Sequence, residues 1–322
     1  MEKKIITVAL LSGGTSSERE VSLSGGDHVY HALDKNRYNV FRYDPKTEIA
    51  QLIADARKID VALIILHGAH GEDGTVQGLL DLLNIPYQCS GPLGSSVAIN
   101  KLASKHFYAQ CNIPTPTYMT FRTNDSIDAD TCISRLGLPI VVKPVSGGSS
   151  IGMTIAHSKN DLIKALDKAF EYDDTVLLEE YIKGTEITGA VIGNKNPEAL
   201  PIVEIVPNDT YEFFDYQAKY TAGETEEICP ARISEKLTKR AWELAKKSHS
   251  ALFCKGCSRT DMIIKGEDIY VLETNTIPGM TASSLLPLAA EKAGMNFSQL
   301  IDRLIELGLE EPVRNTGYNN RS

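Results

Sequence analysis

A segment rich in glycine and serine occupies residues 143–152 (KPVSGGSSIG) and directly follows the apolar run 140–142. Glycines allow backbone N–H groups to approach phosphate oxygens, the serine hydroxyls add donors, and Lys143 adds a positive charge. The sequence contains neither the GxxxxGK(S/T) phosphate-binding loop nor the GxGxxG dinucleotide-binding fingerprint. The segment alone therefore fits a flexible hairpin as well as a phosphate-binding loop, and a neighbouring metal site would favour the second.

Oxygen-bearing side chains end a predicted strand at 269–275. Side chains alternate across a strand, so Glu273 and Asn275 are predicted to share a face. Mg²⁺ takes oxygen ligands and usually combines a few protein contacts with substrate phosphates. The pattern predicts a magnesium site that bridges to a nucleotide, and a solvated strand end is the alternative.

Asp261 lies on the partner strand of the same predicted hairpin. A turn of two or four residues centred on 266–267 would place Asp261 opposite Leu272, on the wrong face. A three-residue turn or a β-bulge would place it diagonal to Glu273, on the correct face. Asp261 can join the metal only in the second arrangement, and we predict that arrangement.

Other candidate residues are less specific. His67 follows the predicted buried strand 61–66 and precedes a glycine, a position typical of ligand contacts, although a packing role fits too. Lys101 shares a helical face with Lys105, a pattern that alone indicates solvated lysines. Cys254 and Cys257 form a C-x-x-C without a second pair at zinc spacing, so we expect reduced thiols.

The whole chain sets further limits. Its 322 residues carry a formal charge of −9, which argues against nucleic acid as the main partner. No stretch approaches the roughly 20 apolar residues of a membrane helix. The apolar run 5–11 continues into Gly13-Gly14 instead of a cleavage site, so we interpret it as a buried strand and expect a cytoplasmic protein.

Alternating apolar runs and amphipathic segments in the first third are typical of a parallel sheet with crossover helices. There we predict strands at 5–11, 39–43 and 61–66, a helix from a Ser17/Glu20 capping box to Leu33, and a helix at 74–83. The second unit has predicted helices at 101–111 and 161–170 and predicted strands at 140–143 and 176–181. The third has predicted strands at 185–193, 199–206, 259–264 and 269–274 and predicted helices at 234–252 and 287–308. We predict an α/β and α+β fold of three units, 1–99, 100–184 and 185–311, with a flexible tail at 312–322.

Five segments in order, covering about residues 5–310, resemble the D-alanine–D-alanine ligases of the ATP-grasp superfamily. They are 13–22 (GGTSSEREVS), 66–74 (LHGAHGEDG), 143–152 (KPVSGGSSIG), 215–220 (DYQAKY) and 273–281 (ETNTIPGMT). The resemblance implies the three-domain ATP-grasp fold, with an N-terminal parallel-sheet domain. It also implies ATP-dependent joining of two D-alanine molecules through an acyl phosphate, for peptidoglycan and hence cell-wall synthesis.

By that resemblance, ATP lies between the second and third units. Its phosphates would meet Lys101 and Lys143, with Ser149 and Ser150 closing over them. The remaining nucleotide contacts would be Glu179, Glu180, Tyr181 and Ile182 at the adenine, Glu186 at the ribose, Phe213 near the base, and Lys219. Two Mg²⁺ ions, for which Mn²⁺ would substitute, would sit on Asp261, Glu273 and Asn275.

The resemblance also assigns the amino-acid sites. Glu18 would bind the ammonium of the first D-alanine, with His67 close by. Ser284, Leu285 and Lys219 would hold the second, and Arg259 with the Gly279 amide would form the oxyanion site. The catalytic set it implies is Glu18, Ser149, Tyr220, Arg259 and Gly279.

Those residue types suit the reaction. Phosphoryl transfer needs positioning and charge neutralisation, which lysines, Arg259 and a metal supply without a protein nucleophile. Residues 208–230 fit a cover that excludes water from the acyl phosphate. Tyr220, with Ser149 and Glu18, is predicted to assist the attacking amine. We therefore predict a dipeptide product over a depsipeptide with D-lactate.

Other functions stay open at this point. A ligase of different amino-acid specificity, such as one making D-Ala-D-Ser, would share most of the same motifs. A nucleotide-binding regulator without turnover would be expected to lack a metal ligand or Arg259. The predicted metal ligands and Arg259 are all present. A periplasmic-type binding protein would need a signal peptide, and we interpret residues 5–11 as a buried strand instead, which disfavours this function. The family resemblance also implies a homodimer as a common assembly.

Overall fold

The N-terminal part of the molecule is a three-stranded parallel sheet. The computed structural model describes residues 5–148, 151–207, 225–281 and 284–310. The strands β1 (Ile6–Leu11), β2 (Tyr38–Tyr43) and β3 (Val61–Ile64) lie in the order β2-β1-β3. The helices are α1 (Arg19–Ala32), α2 (Ile49–Asp55), α3 (Thr75–Leu82) and α4 (Pro92–Ile99), with a 3-10 turn at Ala56–Lys58. The predicted parallel sheet is confirmed.

The start of α1 differs from the prediction. The residue that caps the helix is Glu18, and no side chain makes a capping hydrogen bond there. Ser17 is exposed, and Ser16 Oγ instead accepts a hydrogen bond from the Glu18 N–H at 3.2 Å. The Ser17/Glu20 capping box was therefore wrong. The helix begins directly after Glu18, so this carboxylate sits at the helix N-terminus.

The second sheet is antiparallel, in the order β4-β7-β5-β6. Its strands are β4 (Tyr118–Arg122), β5 (Ile140–Pro144), β6 (Thr154–Ala156) and β7 (Thr175–Glu180), and its helices are α5 (Lys101–Gln110), α6 (Ala129–Leu136) and α7 (Lys159–Phe170). The apolar face predicted for the 161–170 helix is buried in α7, where Leu162, Ala165, Leu166 and Ala169 join the core of this sheet. The glycine-rich segment is the connection between β5 and β6.

The third sheet follows the order β11-β10-β8-β12-β13, with a short strand β9 beside β8. The strands are β8 (Thr185–Ile192), β9 (Glu198–Ala199), β10 (Val203–Pro207), β11 (Thr225–Ile228), β12 (Cys257–Lys265) and β13 (Asp268–Asn275). The helices are α8 (Glu235–Ala251), α9 (Leu285–Lys292) and α10 (Phe297–Glu310). Part of the segment predicted as a cover, Thr225–Ile228, is thus an edge strand.

Two predicted elements are divided in the structure. The helix expected at 287–308 is two helices, α9 and α10, because Gly294 adopts φ +87° and ends the first one. The strand expected at 199–206 is split between β9 and β10. The apolar periodicity continues past Gly294, so it predicted one helix, whereas a glycine at this position is a common signal for the end of a helix.

One hydrophobic core joins the first and third parts of the chain. Val8 and Leu10 of β1 share a buried cluster with Leu286 of α9 and with Ile301 and Leu304 of α10. The central sheet has a cluster of its own. Each sheet falls within one predicted unit, while the domain boundaries themselves stay predictions. Among the described residues, no helix combines the length and apolarity needed to cross a membrane.

Candidate active site

A cleft opens between the second and third sheets. It holds about 940 Å³ between its walls, including space open to solvent. Apolar walls come from Val141 and Ile155 on one side and Ile263 on the other. Seven residues predicted to bind ATP line it: Lys101, Lys143, Glu179, Glu180, Tyr181, Ile182 and Glu186. Its size and its mixture of apolar walls with a few charged groups suit a nucleotide.

The glycine-rich segment forms one rim of the cleft. The backbone N–H of Lys101 donates to Val145 O at 2.9 Å, and Lys101 Nζ donates to Gly147 O at 2.6 Å. Gly147 adopts φ +103°, a conformation that favours glycine. Lys101 Nζ also lies 3.8 Å from Glu273 Oε2 of the β12–β13 hairpin. The loop and the hairpin therefore face each other across the cleft, as predicted.

The hairpin has the register that the metal site requires. Lys265 pairs with Asp268 across a two-residue turn, and Met262 pairs with Val271, but Asp261 pairs with Glu273. A β-bulge between Asp261 and Met262 absorbs the extra residue on β13. The prediction of a bulge is confirmed, although Asp261 is directly opposite Glu273 and not diagonal to it.

The bulge also shapes the cleft wall. Two consecutive residues, Leu272 and Glu273, both line the cleft, which strict alternation along a strand would forbid. Asp261 lines it as well. One apolar and two acidic side chains thus meet at a single point of the hairpin.

Asp261 is held by two neighbours. Arg259 donates to its carboxylate from Nε and from Nη2, both at 2.9 Å, and Thr188 Oγ1 donates to Oδ1 at 2.6 Å. Arg259 is opposite Asn275 in the register, so all four predicted residues of the hairpin lie on one face. A residue proposed for the oxyanion site thus pairs with a proposed metal ligand.

The donor set fits Mg²⁺. Asp261 and Glu273 offer carboxylate oxygens to the cleft, and Asn275 adds an amide oxygen that accepts a hydrogen bond from the Ile277 N–H at 2.9 Å. Such hard oxygen ligands are those that Mg²⁺ prefers. Within the described ranges, no cluster of three or more His, Cys, Asp or Glu side chains forms a complete metal cage. The residues suit an ion that shares its coordination with phosphate oxygens.

Glu179 lines the cleft, but its carboxylate is bound by lysines. Its Oε2 lies 2.5 Å from Lys143 Nζ and its Oε1 2.6 Å from Lys105 Nζ. Burial alone would raise the pKa of Glu179, and the two ammonium groups reverse this and hold it below the usual range. Burial lowers the pKa of Lys105. We take Lys105 as charged because a neutral amine would leave the shared carboxylate with one cation.

The burial of Lys105 was not predicted. Its helical pattern with Lys101 indicated solvated lysines, yet its side chain is only 1% exposed. Helical periodicity shows which residues share a face but not what that face packs against. A signal was available in the spacing, because Lys105 lies one turn after Lys101, a predicted cleft residue, and therefore on the same side of the helix.

Glu18 lies between two glycine loops. A Cβ atom at Gly68 would be 3.3 Å from Glu18 Oε2, and one at Gly148 would be 3.5 Å from the same oxygen. The structure thus brings the first predicted substrate residue next to the rim of the cleft. Larger side chains at Gly68 would crowd this carboxylate.

His67 is buried beside Glu18 and Glu72. Its Nδ1 lies 3.7 Å from Glu72 Oε1, and its Nε2 has no hydrogen-bond partner among the described residues. Burial would lower the pKa of His67, but Glu72 and Glu18 outweigh burial and raise it. A buried donor without a partner suits contact with a polar ligand.

Gly279, Ser284 and Leu285 lie together at the start of α9. Ser284 Oγ accepts a hydrogen bond from the Thr281 N–H at 3.0 Å. A Cβ atom at Gly279 would be only 2.7 Å from Ser284 Oγ, so a side chain there would displace the hydroxyl. The segment packs against α1, where Gly25 approaches the backbone of Met280. Five predicted site residues, Ser149, Ser150, Phe213, Lys219 and Tyr220, lie outside the described residues.

Comparisons with known proteins identify the family of this chain. Residues 42–90 match the family described as "D-ala D-ala ligase N-terminus", and residues 107–306 match "D-ala D-ala ligase C-terminus". The chain is 57% identical over 311 residues to a D-alanine–D-alanine ligase of Syntrophobacter fumaroxidans, covering 97% of this chain and 100% of that one. It is 51% identical to the ligase of Desulfotalea psychrophila, covering 95% and 96%.

Solved structures give the same result. The D-alanine–D-alanine ligase of Bacillus anthracis complexed with ATP superposes with a TM-score of 0.83 at 37% identity, covering 95% of this chain and 98% of that one. The VanG D-Ala:D-Ser ligase of Enterococcus faecalis has a TM-score of 0.82 at 31% identity, covering 95% and 100%. The fold is that of the ATP-grasp ligases. On the strength of both family matches and of these relatives, the chain belongs to the D-alanine–D-alanine ligase family.

Proposed function

We propose that this chain joins two D-alanine molecules into D-alanyl-D-alanine, converting ATP to ADP and phosphate, and so supplies peptidoglycan synthesis. The observation that carries this proposal is the cleft. It places the lysines Lys101 and Lys143 opposite the carboxylates Asp261 and Glu273. Family membership supplies the identity of the amino acid.

The nucleotide would bind with its phosphates at the glycine rim. Lys101 and Lys143 would attract the phosphate charge, Glu186 would receive the ribose, and the segment 179–182 would line the adenine. All of these residues line the cleft. Ser149, Ser150, Phe213 and Lys219 complete this proposed set. Mg²⁺ on Asp261, Glu273 and Asn275 would neutralise charge that develops on the transferred phosphoryl group.

The first step would activate the carboxylate of the first D-alanine. One of its oxygens attacks the γ-phosphorus, the bond to the β-phosphate oxygen breaks, and ADP leaves. Glu18, with His67 nearby, would hold the ammonium of this D-alanine away from the reacting carboxylate. Burial of both side chains limits competing water.

The second step would form the peptide bond. The neutral amine of the second D-alanine attacks the acyl carbon, and phosphate leaves with one oxygen of the original carboxylate. Arg259 and the Gly279 amide would stabilise the oxyanion, since a guanidinium carries five donors and Asp261 accepts two. Ser284, Leu285 and Lys219 would hold the second D-alanine.

Tyr220, with Ser149 and Glu18, would assist the attacking amine, which favours a dipeptide over a depsipeptide. A second specificity, D-Ala-D-Ser, is kept as an alternative because a D-Ala:D-Ser ligase is among the structural relatives. We also propose a cytoplasmic location, where ATP is available, and a homodimer.

The test is to incubate the protein with MgATP and D-alanine and to measure ADP, phosphate and dipeptide. We expect the three products in equal amounts, with D-lactate a poor second substrate at neutral pH. Equal incorporation of D-lactate would contradict the role of Tyr220. A preference for D-serine as second substrate would favour the alternative specificity, and ATP turnover without any ligated product would contradict both.

A further inference from the structure

Lys105 is buried behind the cleft, one helical turn after Lys101. Its Nζ lies 2.6 Å from Glu179 Oε1, donates to Pro116 O at 3.2 Å, and is 4.8 Å from the centre of the Tyr118 ring. Among the described residues, those that line the cleft do not include Lys105. Burying an ammonium group costs free energy, so its retention at this position calls for a compensating role.

The charge balance around Glu179 suggests that role. The carboxylate contacts Lys143 on the cleft side and Lys105 on the far side. A pair of Glu179 and Lys143 alone would be neutral, so the lysine would attract phosphate weakly. With Lys105 added, the three groups carry a net charge of +1 next to the glycine-rich rim.

We propose that Lys105 is a positioning residue for nucleotide binding. It balances the charge of Glu179 and fixes the direction of that carboxylate, so that Lys143 stays oriented and able to attract the phosphates of a nucleoside polyphosphate. The inference rests on the proposed ATP site and extends it to a residue that touches no nucleotide.

The test compares MgADP with adenosine, which lacks both the diphosphate and its Mg²⁺. Lys105→Met should weaken MgADP binding on the order of tenfold, because one unit of positive charge near the phosphates is lost. Adenosine carries no phosphate, so its affinity should fall much less, by no more than a displaced Glu179 carboxylate costs at the adenine. Calorimetry or competition binding measures both. Lys159→Met is the matched control, since Lys159 is an exposed lysine that pairs with Asp130 in the same part of the chain.

A double variant separates charge from packing. Lys105→Met combined with Glu179→Gln removes one charge of each sign and restores a net charge of +1. Its ratio of MgADP to adenosine affinity should therefore exceed that of Lys105→Met alone, a comparison that cancels any effect of Glu179 on the adenine. If Lys105 only filled space, the second substitution would leave that ratio unchanged or lower it.

Two outcomes would overturn the inference. In the first, Lys105→Met binds MgADP as tightly as the wild type, and in the second its affinities for adenosine and MgADP fall by the same factor. Should Lys105→Met fail to fold, Glu179→Gln alone must raise the ratio of MgADP to adenosine affinity, and an unchanged or lower ratio would overturn it. These binding measurements contain no D-alanine. If the wild-type protein bound MgADP but formed no dipeptide in the ligation assay, only the proposed function would be contradicted.

Discussion

Around the cleft, basic side chains contact acidic ones. Arg259 holds Asp261, Lys143 holds Glu179, and Lys101 lies 3.8 Å from Glu273. Phosphate oxygens would compete for the cations, and Mg²⁺ would compete for the acids. Nucleotide and metal should therefore bind more tightly together than separately, since each ligand releases the partner that the other needs.

Glu273 provides the sharpest test of the metal site. Glu273→Gln keeps the shape of the side chain and removes its charge, so we expect turnover to fall roughly hundredfold or more. The measurement is ADP release in the presence of D-alanine and MgATP. Glu267→Gln is the control, because Glu267 is an exposed acid in the turn of the same hairpin. Near-normal turnover of Glu273→Gln would show that the metal lies elsewhere.

His67 gives a prediction on pH. Its pKa in the folded protein is raised above the ordinary 6.5 because Glu72 and Glu18 outweigh burial. The protonated ring therefore stabilises the fold fully below about pH 6.5, and this contribution is lost as the pH rises through the folded pKa. In urea unfolding, the stability difference between wild type and His67→Gln should be larger at pH 6 than at pH 9.

The exposed histidine His28 supplies the control, as His28→Gln should leave that pH dependence unchanged. A difference between wild type and His67→Gln that stays constant from pH 6 to pH 9 would rule out the raised pKa.

Among the elements, the β12–β13 hairpin determines the acidic side of the cleft. Its register was predictable because Asp261 and Glu273 can share a metal only if they share a face, and the bulge at that point satisfies this condition. The start of α1 was not predictable in the same way. Several hydroxyl residues precede it, yet Glu18 occupies the capping position, and its side chain makes no capping hydrogen bond.

Helix α5 carries both Lys101 and Lys105, and its N-terminus is capped by Asn100. The Asn100 side chain accepts a hydrogen bond from the Ala103 N–H at 2.9 Å. Asn100→Ala should lower the free energy of unfolding by about 1 kcal/mol and raise the KM for ATP, because fraying displaces Lys101. Denaturant unfolding and steady-state kinetics measure the two effects.

Ser158→Ala is the matched control, since Ser158 caps α7 and is not among the described residues that line the cleft. It should lose similar stability and keep the KM for ATP. An equal rise of KM in both variants would contradict a local effect of α5.

Across the whole molecule, the first and third sheets depend on one hydrophobic core. The sequence predicted three units in series, and such a pattern does not reveal that the C-terminal helix α10 packs against β3 and α1. Contacts this distant in sequence depend on tertiary packing, which periodicity cannot report. The cleft itself lies between the second and third sheets, so its opening depends on how they are held together.

The shared core predicts a long-range effect of one substitution. Leu304→Ala should lower the free energy of unfolding by about 2–5 kcal/mol and speed hydrogen exchange in β1, since Leu304 and β1 share the core. Leu309→Ala is the control on the same helix, because Leu309 is 38% exposed. Unchanged exchange in β1 despite lower stability would contradict the shared core.

The central claim is that this chain activates the carboxylate of one D-alanine by phosphorylation and then joins it to a second. The most direct measurement supplies D-alanine labelled with ¹⁸O in its carboxylate, together with unlabelled MgATP and water. We predict that each phosphate released carries one ¹⁸O and that D-alanyl-D-alanine forms in equal amount. Phosphate free of ¹⁸O would contradict the account, because its fourth oxygen would then come from water.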